Sequence, residues 1–161
     1  MEKGELVFFC GKMGAGKSTK AAEVARDKNA VLLSEDEWLE SLYPNKVRSL
    51  DDYIKYSNLL KPQIKKLVQS ILASGTDVVM DFPANTVAQR AWFREIYSEV
   101  GAPHHMMYLD KPDDVCLAQI AKRRIEQPHR ADTDTAEMFE AITKFFSEPK
   151  SVEGFNITTI V

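Results

Sequence analysis

Short apolar runs recur along the chain at 6–10, 30–33, 77–81, 105–109 and 156–161, each bounded by polar or turn-forming residues. Runs of this length read as buried strands, and there are five. Between them, apolar positions fall three and four apart: Ile64, Leu67, Val68, Ile71 and Leu72, then Trp92, Phe93, Ile96, Tyr97 and Val100, then Met138, Phe139, Ile142, Phe145 and Phe146. That spacing places each set on one face of a helix. The intervening segments are too long for hairpins, so the strands pair in parallel through right-handed crossovers. The expected fold is α/β: a three-layer sandwich built on a five-stranded parallel sheet, with helices on both faces.

Turn chemistry agrees with these boundaries. Ser74-Gly75 and Gly101-Ala102-Pro103 close helices, and Lys111-Pro112 opens one. Two stretches break the alternation. Residues 35–61 insert polar and aromatic positions, among them Trp38, Tyr43, Tyr53 and Tyr56, and residues 122–135 are rich in Arg, Asp and Thr around Pro128. In open α/β sheets the ligand lies beyond the carboxyl ends of the strands, where both stretches project. The first is expected to be a helical acceptor-side insertion and the second a lid, within a single domain spanning 1–161.

The chemistry sits directly behind the first strand. Residues 11–19 read G-K-M-G-A-G-K-S-T, which satisfies the phosphate-loop pattern G-x-x-x-x-G-K-[ST] in its required context of a strand before and a helix after. Gly11, Gly14 and Gly16 let the chain bend so that backbone N–H groups turn inward around an anion. The cradle is expected to comprise Gly11, Met13, Gly14, Ala15, Gly16, Lys17, Ser18 and Thr19. Lys17 supplies a point charge at the β and γ phosphates, Ser18 a hydroxyl for Mg²⁺, and the following helix its positive dipole end. The expected ligand is ATP with Mg²⁺, although the pattern does not separate ATP from GTP.

Five further positions, two acids and three arginines, carry candidate chemistry. Asp36 follows the second strand, where a carboxylate can accept the proton of an attacking hydroxyl; it equally suits the acidic N-terminus of a helix. Asp81 ends the third apolar run and suits the magnesium shell, or a turn before Phe82-Pro83. Arg123, Arg124 and Arg130 lie in the lid stretch, and Arg123 is the first choice for charge stabilisation because it sits at the helix end from which a lid would hinge. The four aromatic residues of 35–61 either form an acceptor pocket or pack a small helical lobe.

Composition narrows the classes. With 161 residues, 44% hydrophobic and 28% charged, the chain has a globular composition and lacks an apolar run of membrane-spanning length. A formal net charge of −3 leaves no basic footprint, so a polynucleotide partner is disfavoured. Cys10 and Cys116 read as reduced core thiols, and His104, His105 and His129 have no metal-ligand spacing. No secretory leader is evident at the N-terminus, so the expected location is cytoplasmic.

The blocks 11–19, Leu33-Ser34-Glu35-Asp36-Glu37-Trp38 and Asp77-Val78-Val79-Met80-Asp81-Phe82, with Tyr108-Leu109-Asp110 and 145–155 further on, resemble the small P-loop kinases grouped as AAA-like ATP-binding proteins. These are akin to the kinase domain of phage polynucleotide kinase, chloramphenicol phosphotransferase and zeta toxins. The resemblance covers nearly the whole chain, and its Ser-x-Asp-x-Trp block is more particular to the group than the phosphate loop. It implies a P-loop NTPase fold of the nucleoside-monophosphate-kinase kind, Asp36 as general base and Arg123 as lid arginine. Polynucleotide kinases of this type keep an arginine three residues after the base, where this chain has Leu39, and the usual Arg-Asn pair of the lid is replaced by Arg123-Arg124. The expected function is transfer of the γ-phosphoryl group of ATP to a hydroxyl of a small molecule. The alternatives are an ATP-dependent switch or sensor and a polynucleotide 5′-hydroxyl kinase.

Overall fold

The computed structural model describes residues 2–161. Eleven main elements alternate along the chain: β1 (Leu6–Cys10), α1 (Lys17–Lys28), β2 (Val31–Ser34), α2 (Glu35–Leu42), α3 (Leu50–Ala73), β3 (Val78–Pro83), α4 (Val87–Glu99), β4 (His104–Leu109), α5 (Asp113–Glu126), α6 (Ala136–Thr143) and β5 (Ile157–Ile160). Short 3₁₀ turns occupy Pro128–Arg130 and Ser151–Glu153. The strands form one five-stranded sheet in the order β2-β3-β1-β4-β5, every pair parallel.

Strand alternation divides the core into two faces. Leu6, Phe8 and Cys10 of β1 point into one cluster with Leu39 of α2, Ile64, Val68 and Leu72 of α3, and Phe93 and Ile96 of α4. Val7 and Phe9 point into the other, with Ala21 and Ala25 of α1, Cys116 and Ile120 of α5, and Phe139 of α6. β1 is therefore buried on both faces, which is why it reads as an unbroken apolar run. Aromatic packing concentrates on the first face, where the Phe8 and Phe93 rings stack at 4.5 Å between centroids. Arg90 of α4 is also there, 0% exposed, with Nε donating to Glu153 Oε1 at 2.8 Å and Nη1 to the Ala84 carbonyl at 3.0 Å. That pair ties the approach to β5 to the exit of β3.

Several boundaries differ from the sequence expectation. α3 starts at Leu50, inside the 35–61 stretch, because the Ser49 side chain accepts from Asp52 N and closes the helix start. The helix then continues through Pro62, leaving the irregular part of that stretch to the residues between Leu42 and Leu50. β3 runs on past Asp81 to Pro83, where the register with β1 shifts between Phe8 and Phe9. A proline is tolerated at such an irregular strand end because a ladder N–H is no longer required of it. Phe145 and Phe146 lie beyond α6, which ends at Thr143.

The order β2-β3-β1-β4-β5 makes the chain leave β1 toward one side of the sheet and later return to its other side. A crevice opens at the carboxyl end of β1 for that reason. Replacing the fully buried Phe8 (Phe8→Ala) is expected to cost about 3–5 kcal/mol of unfolding free energy in urea titrations. A loss below about 1 kcal/mol would show that the stacked ring is not central to the core.

Candidate active site

The loop between β1 and α1 is shaped by two glycines. Gly14 has φ +81°, and a Cβ there would stand 2.4 Å from the Cys116 carbonyl oxygen of α5, so both strain and space exclude a side chain. Gly16, at φ +96°, is the N-cap residue of α1 and supplies no side-chain acceptor. The helices α2, α3, α4 and α6 are instead capped by Ser34, Ser49, Thr86 and Thr135. α5 has no side-chain cap either, but carries Asp113 and Asp114 in its first turn. Among the described residues, α1 has neither a cap nor an acid there, so its positive end and leading N–H groups face the crevice without a protein counterpart.

Met13 through Thr19 line a cavity of about 1230 Å³ at this edge of the sheet. Gly11 is not part of the lining: it lies behind the loop and donates its N–H to Asn85 Oδ1 at 2.9 Å. Asn85, just past β3, also donates its own N–H to Gln89 of α4 and accepts from Ser147 N, joining three segments to the loop's first residue. Lys17 Nζ folds back onto the Gly11 carbonyl and reaches the Lys12 carbonyl at 3.3 Å.

Asp36, in the first turn of α2, and Asp81, on β3, border the same cavity. Ser34 pairs with Asp81 across β2 and β3, so the first turn of α2 begins beside the end of β3. The cap of α2 is the Ser34 side chain, accepting from Glu37 N, while the Asp36 carboxylate borders the cavity and faces Arg130. Arg130 Nη1 donates to Asp36 Oδ2 at 2.9 Å. Among the described residues Arg123 makes no hydrogen bond to Asp36; its Nε and Nη2 donate to Asp134 at 2.7 and 2.9 Å. Arg124 is absent from the lining, whereas Arg123 and Arg130 belong to it.

A family model described as an AAA domain matches residues 6–149. The chain belongs to that family. Among solved structures, a putative kinase from Chloroflexus aurantiacus j-10-fl is similar at 18% identity, with a TM-score of 0.75, covering 99% of this chain and 86% of that one. The Mycobacterium tuberculosis APS kinase CysC, in complex with AMPPNP and APS, aligns at 20% identity and TM-score 0.63 over 99% of this chain and 90% of its own. Chaetomium thermophilum Kti12 in complex with ADP-AlF3 aligns at 18% identity and TM-score 0.66, covering 96% and 88%. This AAA domain thus has the P-loop kinase fold expected from its sequence.

Electrostatics in the AAA domain follow from burial and neighbours. Desolvation lowers the Lys17 pKa from the usual lysine value, and the charges of Asp81 and Asp36 partly oppose it. Burial raises the Asp81 carboxyl, while the adjacent Ser18 side chain pulls it back down. Burial would lower Arg130, but Asp36 and Asp134 hold it above the ordinary arginine value. The Cys10 thiol is pushed up to about 11 by burial, as befits an unreactive core cysteine.

The aromatic residues of 35–61 serve mainly as packing. All four rest against the first core cluster, and the Tyr43 and Tyr56 rings lie 4.5 Å apart. Tyr43 and Tyr53 also face the cavity. Tyr53 and Ser57 of α3 both donate to the Glu35 carboxylate, the latter at 2.8 Å, locking α2 onto α3. Glu35, Asn85 and Asp134 do not stand out as site residues in the sequence. Nothing in the local pattern separates Asp134 from Asp132, or Glu35 from Glu37; only their burial does.

Burial pushes the Glu35 carboxyl from 4.5 up to about 7. Between those values the folded chain binds more protons than the unfolded one, so this group's stabilisation is complete below about pH 4.5 and is lost as pH rises through 7. Glu35→Gln is expected to flatten the pH dependence of Tm across that window and to gain up to about 3 kcal/mol above pH 8. Parallel Tm profiles for the two proteins would contradict the assignment.

Proposed function

We propose that this AAA domain is an ATP-dependent kinase that transfers the γ-phosphoryl group to a hydroxyl of a small molecule. The observation that carries the reading is the convergence on one cavity of the α1 N-terminus, Lys17, Ser18 and Asp81 with Asp36 and two lid arginines. A cavity of about 1230 Å³ exceeds the roughly 300–1,000 Å³ of a pocket for one ligand, which supports room for a nucleotide and an acceptor together. The AMPPNP and ADP-AlF3 named for two of the structural neighbours support a nucleoside triphosphate as donor.

The loop amides and Lys17 would hold the β and γ phosphates, and the uncapped end of α1 would favour their charge. Asp36 would accept the acceptor's hydroxyl proton and orient its oxygen. Arg123 and Arg130 would meet the charge that spreads over the transferring group. Ser18 beside Asp81 is a hard oxygen donor pair that fits Mg²⁺, an ion that takes few protein ligands and completes its shell from phosphates and water. Bound there, it would neutralise phosphate charge.

Leu39 supports a small acceptor over a nucleic acid. It is 5% exposed and packs into the first core cluster, so this position offers no cation to a polynucleotide phosphate. The formal charge of −3 argues in the same direction.

Turnover of ATP in the presence and absence of a mixture of hydroxylated metabolites tests the reading, and acceptor-dependent consumption is the expected result. Acceptor-independent hydrolysis would make the chain an ATPase, and tight binding without turnover a sensor. Asp36→Asn is expected to keep ATP affinity and to reduce turnover by roughly 10²- to 10⁴-fold; undiminished turnover removes Asp36 from the mechanism. Lys17→Ala should weaken triphosphate binding itself, as read by calorimetry, and unchanged affinity would refute the phosphate-loop assignment.

A further inference from the structure

Asp134 is the least accessible acidic residue at the cavity, 1% exposed, and it lies in the turn between the 3₁₀ segment Pro128–Arg130 and α6. Its carboxylate takes hydrogen bonds from two guanidinium groups. Arg123, on the last turn of α5, donates through Nε to Oδ2 at 2.7 Å and through Nη2 to Oδ1 at 2.9 Å. Arg130 donates through Nε to the same Oδ2 at 2.8 Å. The turn is also closed along the backbone, where the Arg130 carbonyl accepts from Thr133 N and from Asp134 N. One carboxylate thus fixes both cations relative to α5 and to each other.

The bonding pattern leaves a defined part of each guanidinium free. Among the described residues, Arg123 Nη1 and Arg130 Nη2 make no hydrogen bond, and both side chains border the cavity. Arg130 Nη1 already donates to the Asp36 carboxylate across the opening. Two unshielded guanidiniums side by side would repel one another, and a buried carboxylate between them removes that repulsion. A fork held along one edge by a carboxylate also loses little further freedom when its other edge meets an oxyanion. The burial of Asp134 would raise its pKa, yet the two guanidiniums hold it below the usual carboxylate value, so it is ionised at neutral pH.

We propose that Asp134 is a positioning residue that aligns Arg123 and Arg130 as one unit against the transferring phosphoryl group. It does not touch substrate. Its effect is exerted through the two arginines, and the role rests on the kinase reading above. The arginines serve the charge distribution of the transition state more than that of the bound product, so loss of their alignment should separate the affinities for these two states.

The test compares Mg·ADP with Mg·ADP plus aluminium fluoride, a planar stand-in for the transferring group, by calorimetry on the full chain. Wild type is expected to bind tighter when aluminium fluoride is added. Asp134→Asn should keep its affinity for Mg·ADP but lose about 10²-fold of the gain from aluminium fluoride. A full gain in Asp134→Asn overturns the positioning role and leaves the kinase reading standing. A parallel fall in both affinities also overturns it, because that is the signature of a merely structural carboxylate. Absence of any gain in wild type overturns the kinase reading and this role with it. If Asp134→Asn does not fold, Asp134→Glu replaces it: the charge is kept but the fork is displaced, and the gain should be reduced with Mg·ADP affinity retained. An unchanged gain in that variant refutes the proposal.

Discussion

The close approach of the phosphate loop to α5 is the contact on which the site's geometry depends. At Gly14 the backbone turns through a positive φ against the Cys116 carbonyl, leaving no volume for a Cβ. The loop is thereby held between β1, which delivers it, and α5, against which it rests. Behind it, Asn85 grips the Gly11 amide from the exit of β3. These restraints aim the start of α1 at the crevice, and because no side chain caps that start, the fold itself presents a row of donors for an anion.

The remaining site residues reach the crevice from elements on either side of the loop. The pairing of β2 with β3 brings Ser34 level with Asp81, and α2 begins at once, so Asp36 emerges two residues beyond Ser34, in the first turn of α2. α5 carries Arg123 at its far end, and the turn that follows swings Arg130 across the opening to Asp36. The two sides are joined in this structure by an ion pair with one partner largely in solvent, a contact of modest worth. The buried interaction behind it, Asp134 with its two arginines, is of a different kind: removing one partner would leave a desolvated charge.

Glu35 and Asp36 show how one residue step on a helix separates structure from chemistry. Glu35, 4% exposed, turns inward to Tyr53 and Ser57 and bonds α2 to α3. Asp36 turns outward to the cavity and Arg130. About 100° of helical rotation between neighbours is enough to place one carboxylate in the core and the other at the candidate reaction centre.

The sequence alone determined the strand count, the parallel α/β fold and the phosphate loop, because each is written in local periodicity or in glycine positions that backbone geometry demands. It also brought Lys17, Ser18, Asp36, Asp81 and Arg123 forward as candidates, all of which border a single shared cavity. Only the tertiary structure decided that Ser34 and not Asp36 caps α2, that Gly11 stands behind the cradle, that Arg130 is the arginine meeting Asp36, and that Asp134 bonds both Arg123 and Arg130. Those assignments turn on which of several chemically identical neighbours is buried and on contacts up to 94 positions apart, and a local pattern carries neither. The physical reason is that a carboxylate's role is set by the charges and water around it, which exist only once distant segments have met.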